Sequence, residues 1–401
     1  MSETRPCSLS ALGMVNALGG SCGEIWPRLL AGDQSGLSVR DDLVAGRSLI
    51  LAEVRQPLPA VPEALARYAC RNNALTLAAL QQIEPVIEAA VRRFGRERVG
   101  VVMGTSTSGV SDAERAIAHK QRTGKLAPAF RYAQLEFGGT AGFVAAYLGT
   151  TGPHYALSTA CSSGARALAS ARSLLALGVC DAVVAGASDS LGGLTTGGFS
   201  ALQVVSDAVT NPCSANRKGL TLGEGAAVFL ATRDEDGVRL LGVGESSEAH
   251  HMSAPDPSGA GAEAAMRSAL ADAGLEPPAI SYLNLHGTGT LKNDLMECRA
   301  VDRVFGARLA CSSTKPLVGH TLGAAGATEA GFCWMMLRAA ERGEMPLVPH
   351  CWDGAQDAEL PHLHLAEKGE RVAVGKCARV MTTSFGFGGN NCALVLEGRL
   401  S

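Results

Sequence analysis

Short apolar runs alternate with longer runs in which apolar residues recur every three or four positions. This is the pattern of strands and helices taken in turn. Val99 to Met103 and Ala182 to Ala185 read as buried strands, and residues 72–94 and 162–177 as helices. The charged run Arg233-Asp234-Glu235-Asp236-Gly237 reads as a turn dividing the chain into residues 1–237 and 238–401. After it the order restarts, with an apolar run Leu240 to Val243, a helix over about 260–273 and a strand at Ile280 to Leu285. A helix at about 293–305 and a small-residue helix from about 322 to 341 complete the second series. The repeated order predicts an α/β protein of two similar halves. Lys120 to Arg131, polar and basic without clean periodicity, reads as a surface excursion, and His350 to His364 as a further loop.

Composition narrows the function. With 401 residues, 46% hydrophobic and 18% charged, the chain has material for a core larger than one ordinary domain. Its 48 glycines, nearly twice the usual share, point to tight turns and close backbone approaches. A net charge of −3 and an aromatic content of 4% argue against nucleic acid as a partner. The twelve cysteines show neither CxxC pairs nor metal-ligand spacing, so no metal is expected and a reducing, cytoplasmic setting is. Met1-Ser2-Glu3-Thr4-Arg5-Pro6 lacks the apolar core of a signal peptide, and no apolar run reaches 18 residues, so no membrane role is expected.

The candidate chemistry begins at Ser158-Thr159-Ala160-Cys161-Ser162-Ser163-Gly164-Ala165, between the strand-like run His154 to Leu157 and a helix. Cys161 is open to two readings, a packed structural thiol or a nucleophile at a helix N-terminus. In the second reading the positive end of the dipole is expected to lower its pKa. His286 opens His286-Gly287-Thr288-Gly289-Thr290, and His320 closes Lys315-Pro316-Leu317-Val318-Gly319-His320. Each could be a loop histidine bonded to backbone. Together, two neutral imidazoles beside a thiol would suit stabilisation of a thioester oxygen. Glu329 lies in a low-polarity helix, where an unpaired carboxylate is costly, and Lys315 is the candidate partner. Ser384-Phe385-Gly386-Phe387-Gly388-Gly389-Asn390-Asn391 is either a plain hairpin turn or a mobile loop with one bulky gate. Gly124-Lys125 lacks the rest of a phosphate loop, no HExxH occurs, and His250-His251 has no third ligand at a usual spacing.

In these motifs and their order the chain resembles the β-ketoacyl-acyl carrier protein synthases of the Cys-His-His type, within the thiolase superfamily. The resemblance runs from Leu12-Gly13-Met14-Val15 to Gly386–Asn391 and includes Gly223-Glu224-Gly225-Ala226 and Ser313-Thr314-Lys315. It implies a five-layered αβαβα fold, usually dimeric, and decarboxylative condensation of a Cys161-bound acyl chain with malonyl-carrier protein. It further implies that His286 and His320 serve the decarboxylation, with Lys315 and Glu329 paired near the second histidine. By the same resemblance the amides of Cys161 and Phe387 form an oxyanion hole, and Phe387 and Gly386 belong to a gate. Thr288 and Thr290 would bond the phosphopantetheine arm, and Phe199 would line the acyl pocket. No bound cofactor is implied, since the substrate carrier brings the phosphopantetheine.

The chain departs from many relatives at Pro212-Cys213-Ser214, at Asn216-Arg217-Lys218-Gly219 and at Gly389-Asn390-Asn391. The segments Glu245 to His251 and His286 to Asp294 are similar to ketosynthases of aryl-polyene pigment pathways, whose active subunit pairs with a chain-length-factor homologue. A homodimer is the other expectation. The rival functions are a non-catalytic chain-length factor, which typically lacks the nucleophile, and a thiolase, which normally has a second active-site cysteine near Gly386. An acidic acyl carrier protein is expected to dock on Arg67 and Arg71, read as one helical turn apart, and on Lys120, Arg122 and Lys125.

Overall fold

A computed structural model describes residues 6–400. The segment Met1 to Arg5, on which the expected absence of a leader rests, lies outside the described residues. Among the described residues no helix is long and apolar enough to cross a membrane.

Each half contributes five strands in the same order and sense. From the outer edge inward, the first half runs His154–Leu157, Val99–Gly104, Ala182–Asp189, Gly225–Thr232 and Ser8–Val15. The second runs Ala310–Ser312, Tyr282–Asn284, Cys377–Gly386, Asn390–Arg399 and Val238–Ser247. In both, the first three strands are parallel and the next two join antiparallel. Ser8 opposite Arg239 and Leu9 opposite Val238 connect the halves, and His364–Leu365 adds an outer strand, giving eleven in all.

Helices Ser163–Ala176 and Ala325–Arg338 pack on each other between the two halves of the sheet. Arg71–Gln81 and Gly138–Leu148 cover the outer face of the first half, and Ala260–Ala273 and Leu291–Phe305 that of the second. The result is the five-layered α/β arrangement of two similar halves. Near-continuous apolar strands such as Gly225–Thr232 follow from burial on both faces.

The central helices approach closely because glycines meet at their crossing. A Cβ on Gly164 would lie 2.6 Å from the Ala327 amide nitrogen, and one on Gly326 would lie 2.8 Å from that of Ala165. The contact brings the N-terminal ends of both helices together, and the chemistry collects there.

Two local expectations are corrected. The helix read over 72–94 is two, Arg71–Gln81 and Glu84–Phe94. Pro85 cannot donate an N–H inside a helix, so the chain breaks at Ile83 and restarts. The excursion read from Lys120 to Arg131 begins later, because Lys120 and Arg122 lie in the last turn of the helix Val110–Thr123, ended by Gly124 at φ 80°. That helix buries only Ser111, Ala113 and Ala116, too faint a stripe to show as periodicity. The loop read from His350 to His364 is present, closed by the short strand His364–Leu365, and it is anchored inward. The buried His350 accepts the Ser313 amide at Nδ1 (3.0 Å) and sets Nε2 2.9 Å from the Pro212 carbonyl.

Candidate active site

Cys161 sits in the turn between strand His154–Leu157 and helix Ser163–Ala176. Ala160 takes φ 52°, a conformation an alanine adopts only when its surroundings impose it. The Ser163 hydroxyl imposes it by accepting the Thr159 amide at 2.9 Å and donating to the Ala160 carbonyl at 2.6 Å. The serines and the small residues beside Cys161 therefore build the turn that presents the thiol.

His320 occupies the topologically equivalent place, ahead of helix Ala325–Arg338. Its amide donates to Thr221 at 2.7 Å and its carbonyl accepts Gly223 at 2.9 Å, which fixes the backbone from both sides. Its Nε2 lies 3.0 Å from Cys161 Sγ, and its Nδ1 has no hydrogen-bond partner among the described residues. His286 follows strand Tyr282–Asn284 and meets His320 edge-on, ring centroids 5.4 Å apart, with Phe385 packed against its other side. The thiol and one nitrogen of each imidazole lie within 4.8 Å of one another, all buried. Among the described residues this is the one group with the spacing of a metal site.

Lys315 and Glu329 form a buried pair at 2.5 Å. The expectation that they attend the second histidine is corrected at the level of contact. Lys315 Nζ lies 3.5 Å from His286 Nδ1 and also donates to the His286 carbonyl. The chain folds back through Gly319, at φ 66°, and this carries Lys315 to the first histidine's loop although it is five residues from His320.

Burial sets the charge states. Both imidazoles are held well below the usual histidine range by loss of solvent and by the Lys315 ammonium, so they are neutral near pH 7. The lowered thiol expected at a helix N-terminus is reversed. Burial pushes Cys161 up to about 11, against smaller lowering effects from Lys315 and from the Phe387 amide that faces the sulfur. The dipole end is present, but loss of water outweighs it. Burial likewise raises Glu329 to about 7, opposed by Lys315.

A cavity of about 330 Å³ opens onto these groups. Its lining includes Cys161, His286, His320, Thr288, Thr290, Phe199, Gly386 and Phe387. Phe199 and Phe387 stack at 5.4 Å and form one wall. Gly386 lets the hairpin come against the nucleophile turn, since a Cβ there would sit 2.9 Å from the Thr159 carbonyl.

The docking residues read from sequence do not share this opening. Arg67 lies in the short helix Glu63–Tyr68 and Arg71 starts another, so the single helical face they were expected to share does not exist. Arg71 is held by the buried Glu224 carboxylate (Nε to Oε2, 2.9 Å) and by the Val54 carbonyl, and is not a free surface charge. Arg67 stacks over the Tyr68 ring. Lys120, Arg122 and Lys125 are exposed, away from the cavity lining.

Sequence reasoning missed the buried carboxylates that shape the loops. Glu297 accepts the His286 and Gly287 amides, both at 2.7 Å, and burial raises it to about 7. Asp294 accepts Gly289 and Cys213. Asp189 gathers Thr105, Ser106, Thr107 and the Gly323 amide just beyond His320. The first two had a signal, since acids three apart among the apolar positions of a helical run must find partners.

Comparison with known proteins agrees with this geometry. The β-ketoacyl synthase N-terminal domain model matches residues 52–236 and the C-terminal domain model residues 238–347. A 3-oxoacyl-[acyl-carrier-protein] synthase 2 from Coxiella burnetii is 30% identical over 98% of this chain and 99% of its own. The ketosynthase ApeO, solved in complex with its chain length factor ApeC from Xenorhabdus doucetiae, superposes with a TM-score of 0.93. It is 41% identical, over 100% of this chain and 99% of that one. A β-ketoacyl synthase from Burkholderia phymatum STM815 gives a TM-score of 0.85 at 29% identity, over 99% and 100%. The chain belongs to the β-ketoacyl synthase family, whose members are condensing acyltransferases.

Proposed function

We propose that this β-ketoacyl synthase is a 3-oxoacyl-[acyl-carrier-protein] synthase in which Cys161 holds the growing acyl chain and His286 and His320 serve the condensation. The convergence of one thiol and two neutral imidazoles within 4.8 Å carries the reading. With a pKa near 11 the thiol is protonated at rest, so acylation needs a base, and His320 Nε2 at 3.0 Å is in place. The proton passes from Sγ to Nε2 as sulfur attacks the acyl thioester, then to the departing carrier thiolate. The Phe387 amide, which faces the sulfur, and the Cys161 amide receive the developing oxyanion.

In the second half-reaction the malonyl C–CO2 bond breaks and the electron pair moves into an enolate. The oxygen of that enolate receives N–H donors from His286 and His320. The carbanion attacks the acyl carbon, the Cys161–acyl bond breaks, and the 3-oxoacyl-carrier protein and CO2 leave while the Cys161 thiolate takes up a proton from water to restore the resting thiol. Among the described residues no partner locks His320 Nδ1, so its ring can accept a proton in one half-reaction and donate a hydrogen bond in the other. Thr288 and Thr290, their hydroxyls 2.9 Å apart at the cavity wall, suit the amides of a phosphopantetheine arm. That arm arrives on the substrate, and no bound cofactor enters the scheme. An acyl carrier protein is the partner in this reading, and the free thiols support a cytoplasmic location.

An aryl-polyene type of pathway, with a chain-length-factor homologue as second subunit, is the finer reading. Its support is the Glu245 to His251 and His286 to Asp294 segments and the likeness to a ketosynthase solved with its chain length factor. A non-catalytic chain-length factor is not favoured, because the nucleophile and both histidines are retained and assembled. Reconstitution with labelled malonyl-carrier protein and an acyl-carrier protein tests the function. Wild type should form the 3-oxoacyl product and Cys161→Ala none, and elongation by Cys161→Ala would overturn the assignment.

A further inference from the structure

Two lysines stand at the opening of the cavity. Lys218 and Lys292 both line it and both are exposed. The ion pairs of the first segment belong to its neighbour Arg217, which holds Asp357 and lies 3.9 Å from Asp294, and among the described residues Lys218 has no ion pair. The single carboxylate in the cavity lining is Glu248, whose oxygens are occupied by the Asp256 amide at 2.9 Å and the Asn391 side chain at 2.7 Å. The opening is therefore cationic, although the chain as a whole carries −3.

The two lysines come from segments stitched together. The Gly219 amide donates to the Gly289 carbonyl at 2.9 Å, and the Thr210 hydroxyl sits between the carbonyls of Thr288 and Gly219, 2.8 and 3.0 Å away, with its one hydrogen to donate. Asp294, buried, accepts the Gly289 amide at 3.1 Å and fixes the start of the helix that carries Lys292. Lys218 and Lys292 thus emerge beside Thr288 and Thr290 on a rigid rim, farther from solvent exclusion than the buried Cys161.

Resting on the carrier-protein reading above, we propose that Lys218 and Lys292 form the subsite for the phosphate of the pantetheine arm. The thioester end must reach a buried sulfur and the arm's amides pass the threonines, so its phosphate, at the far end, stops at the opening. A carboxylate of the docked carrier would stay on the outer surface, whereas these lysines line the channel itself. Lysine serves such a phosphate as a point charge, weakened by salt because the site is open to water.

The test uses 4′-phosphopantetheine and pantetheine as probes, titrated by calorimetry into wild type and the double variant Lys218→Gln/Lys292→Gln. Both residues are exposed, so the variant should keep its fold. Wild type should bind the phosphorylated probe about 10-fold more tightly at low salt, and the variant should bind both alike. In condensation assays the variant's KM for acyl-carrier protein should rise by about the same factor with kcat unchanged. Its KM for an acyl-pantetheine thioester should not move. Equal binding of the two probes by wild type would overturn the subsite, whatever the activity. A KM defect confined to the carrier, with phosphopantetheine binding intact, would overturn it too and assign the lysines to the carrier's acidic surface. If wild type condenses nothing, the functional reading fails while the titration still decides the subsite.

Discussion

The turn before helix Ser163–Ala176 and the turn before helix Ala325–Arg338 hold equivalent places in the two halves, yet they carry opposite chemistry. The first delivers a thiol through serine hydroxyls that fold back on the turn's own backbone. The second delivers an imidazole through backbone bonds to Thr221 and Gly223, a segment of the other half. The segments on either side of it supply the buried Lys315–Glu329 pair, whose ammonium reaches over to His286, and the turn at Cys161 has no such pair of its own among the described residues. A symmetric scaffold thus supplies position, while asymmetric local partners supply function. The thiol's turn is self-contained, and the imidazole's turn depends on the rest of the molecule.

The largest break in that comparison should come from Lys315→Ala. It leaves Glu329 buried without a cation, and one-sided loss of such a pair costs on the order of 3–5 kcal/mol. Thermal or urea unfolding should show the loss, and Lys315→Ala/Glu329→Ala together should recover part of it. An unchanged midpoint would mean that the pair is dispensable to the second turn.

Next in size, His286→Ala and His320→Ala should each lower condensation on the order of 100-fold, the effect of losing an oxyanion donor. His286→Ala should still take up acyl groups on Cys161, whereas His320→Ala should acylate slowly because its Nε2 is the neighbour of Sγ. Mass spectrometry of the Cys161 peptide separates the two. The pH behaviour has a definite sign. Both folded imidazoles lie below the unfolded value, so the stability tied to them is present above about pH 6.5 and is lost as pH falls further, when only the unfolded chain binds the protons. His320→Ala should flatten that acid-side slope in unfolding experiments from pH 7 to 5.

The smallest effect sharpens the scaffold side. Gly164→Ala places a methyl 2.6 Å from the Ala327 amide nitrogen and should cost about 1–3 kcal/mol as the helices separate. If the crossing sets the distance between thiol and imidazole, acylation should slow while the isolated turn at Cys161 stays intact.

Much of this was legible in the chain. The alternation of elements foretold an α/β protein of two similar halves, the five layers came from the family resemblance, and Cys161, in its turn of small residues, does meet the Gly-adjacent His286 and His320. Glu329 in an apolar helix demanded a cation, and Lys315 is there. Errors fell where local pattern meets its limits. Spacing places Arg67 and Arg71 on one face, but the extended backbone at Ala69 and Cys70 ends one helix before the next begins at Arg71, and Glu224 takes Arg71 from 153 residues away. The thiol was read from its helix, whereas its ionisation is set by burial under both halves.

The sequence by itself determined the order of elements, the turn at Cys161 and the identity of the thiol and imidazoles that meet, because periodicity, small residues and side-chain hydroxyls act over a few positions. Only the tertiary structure decided which histidine touches the sulfur, which one Lys315 serves, how charged each group is and where the cavity opens. Those depend on groups tens to hundreds of residues apart and on the water that their packing removes.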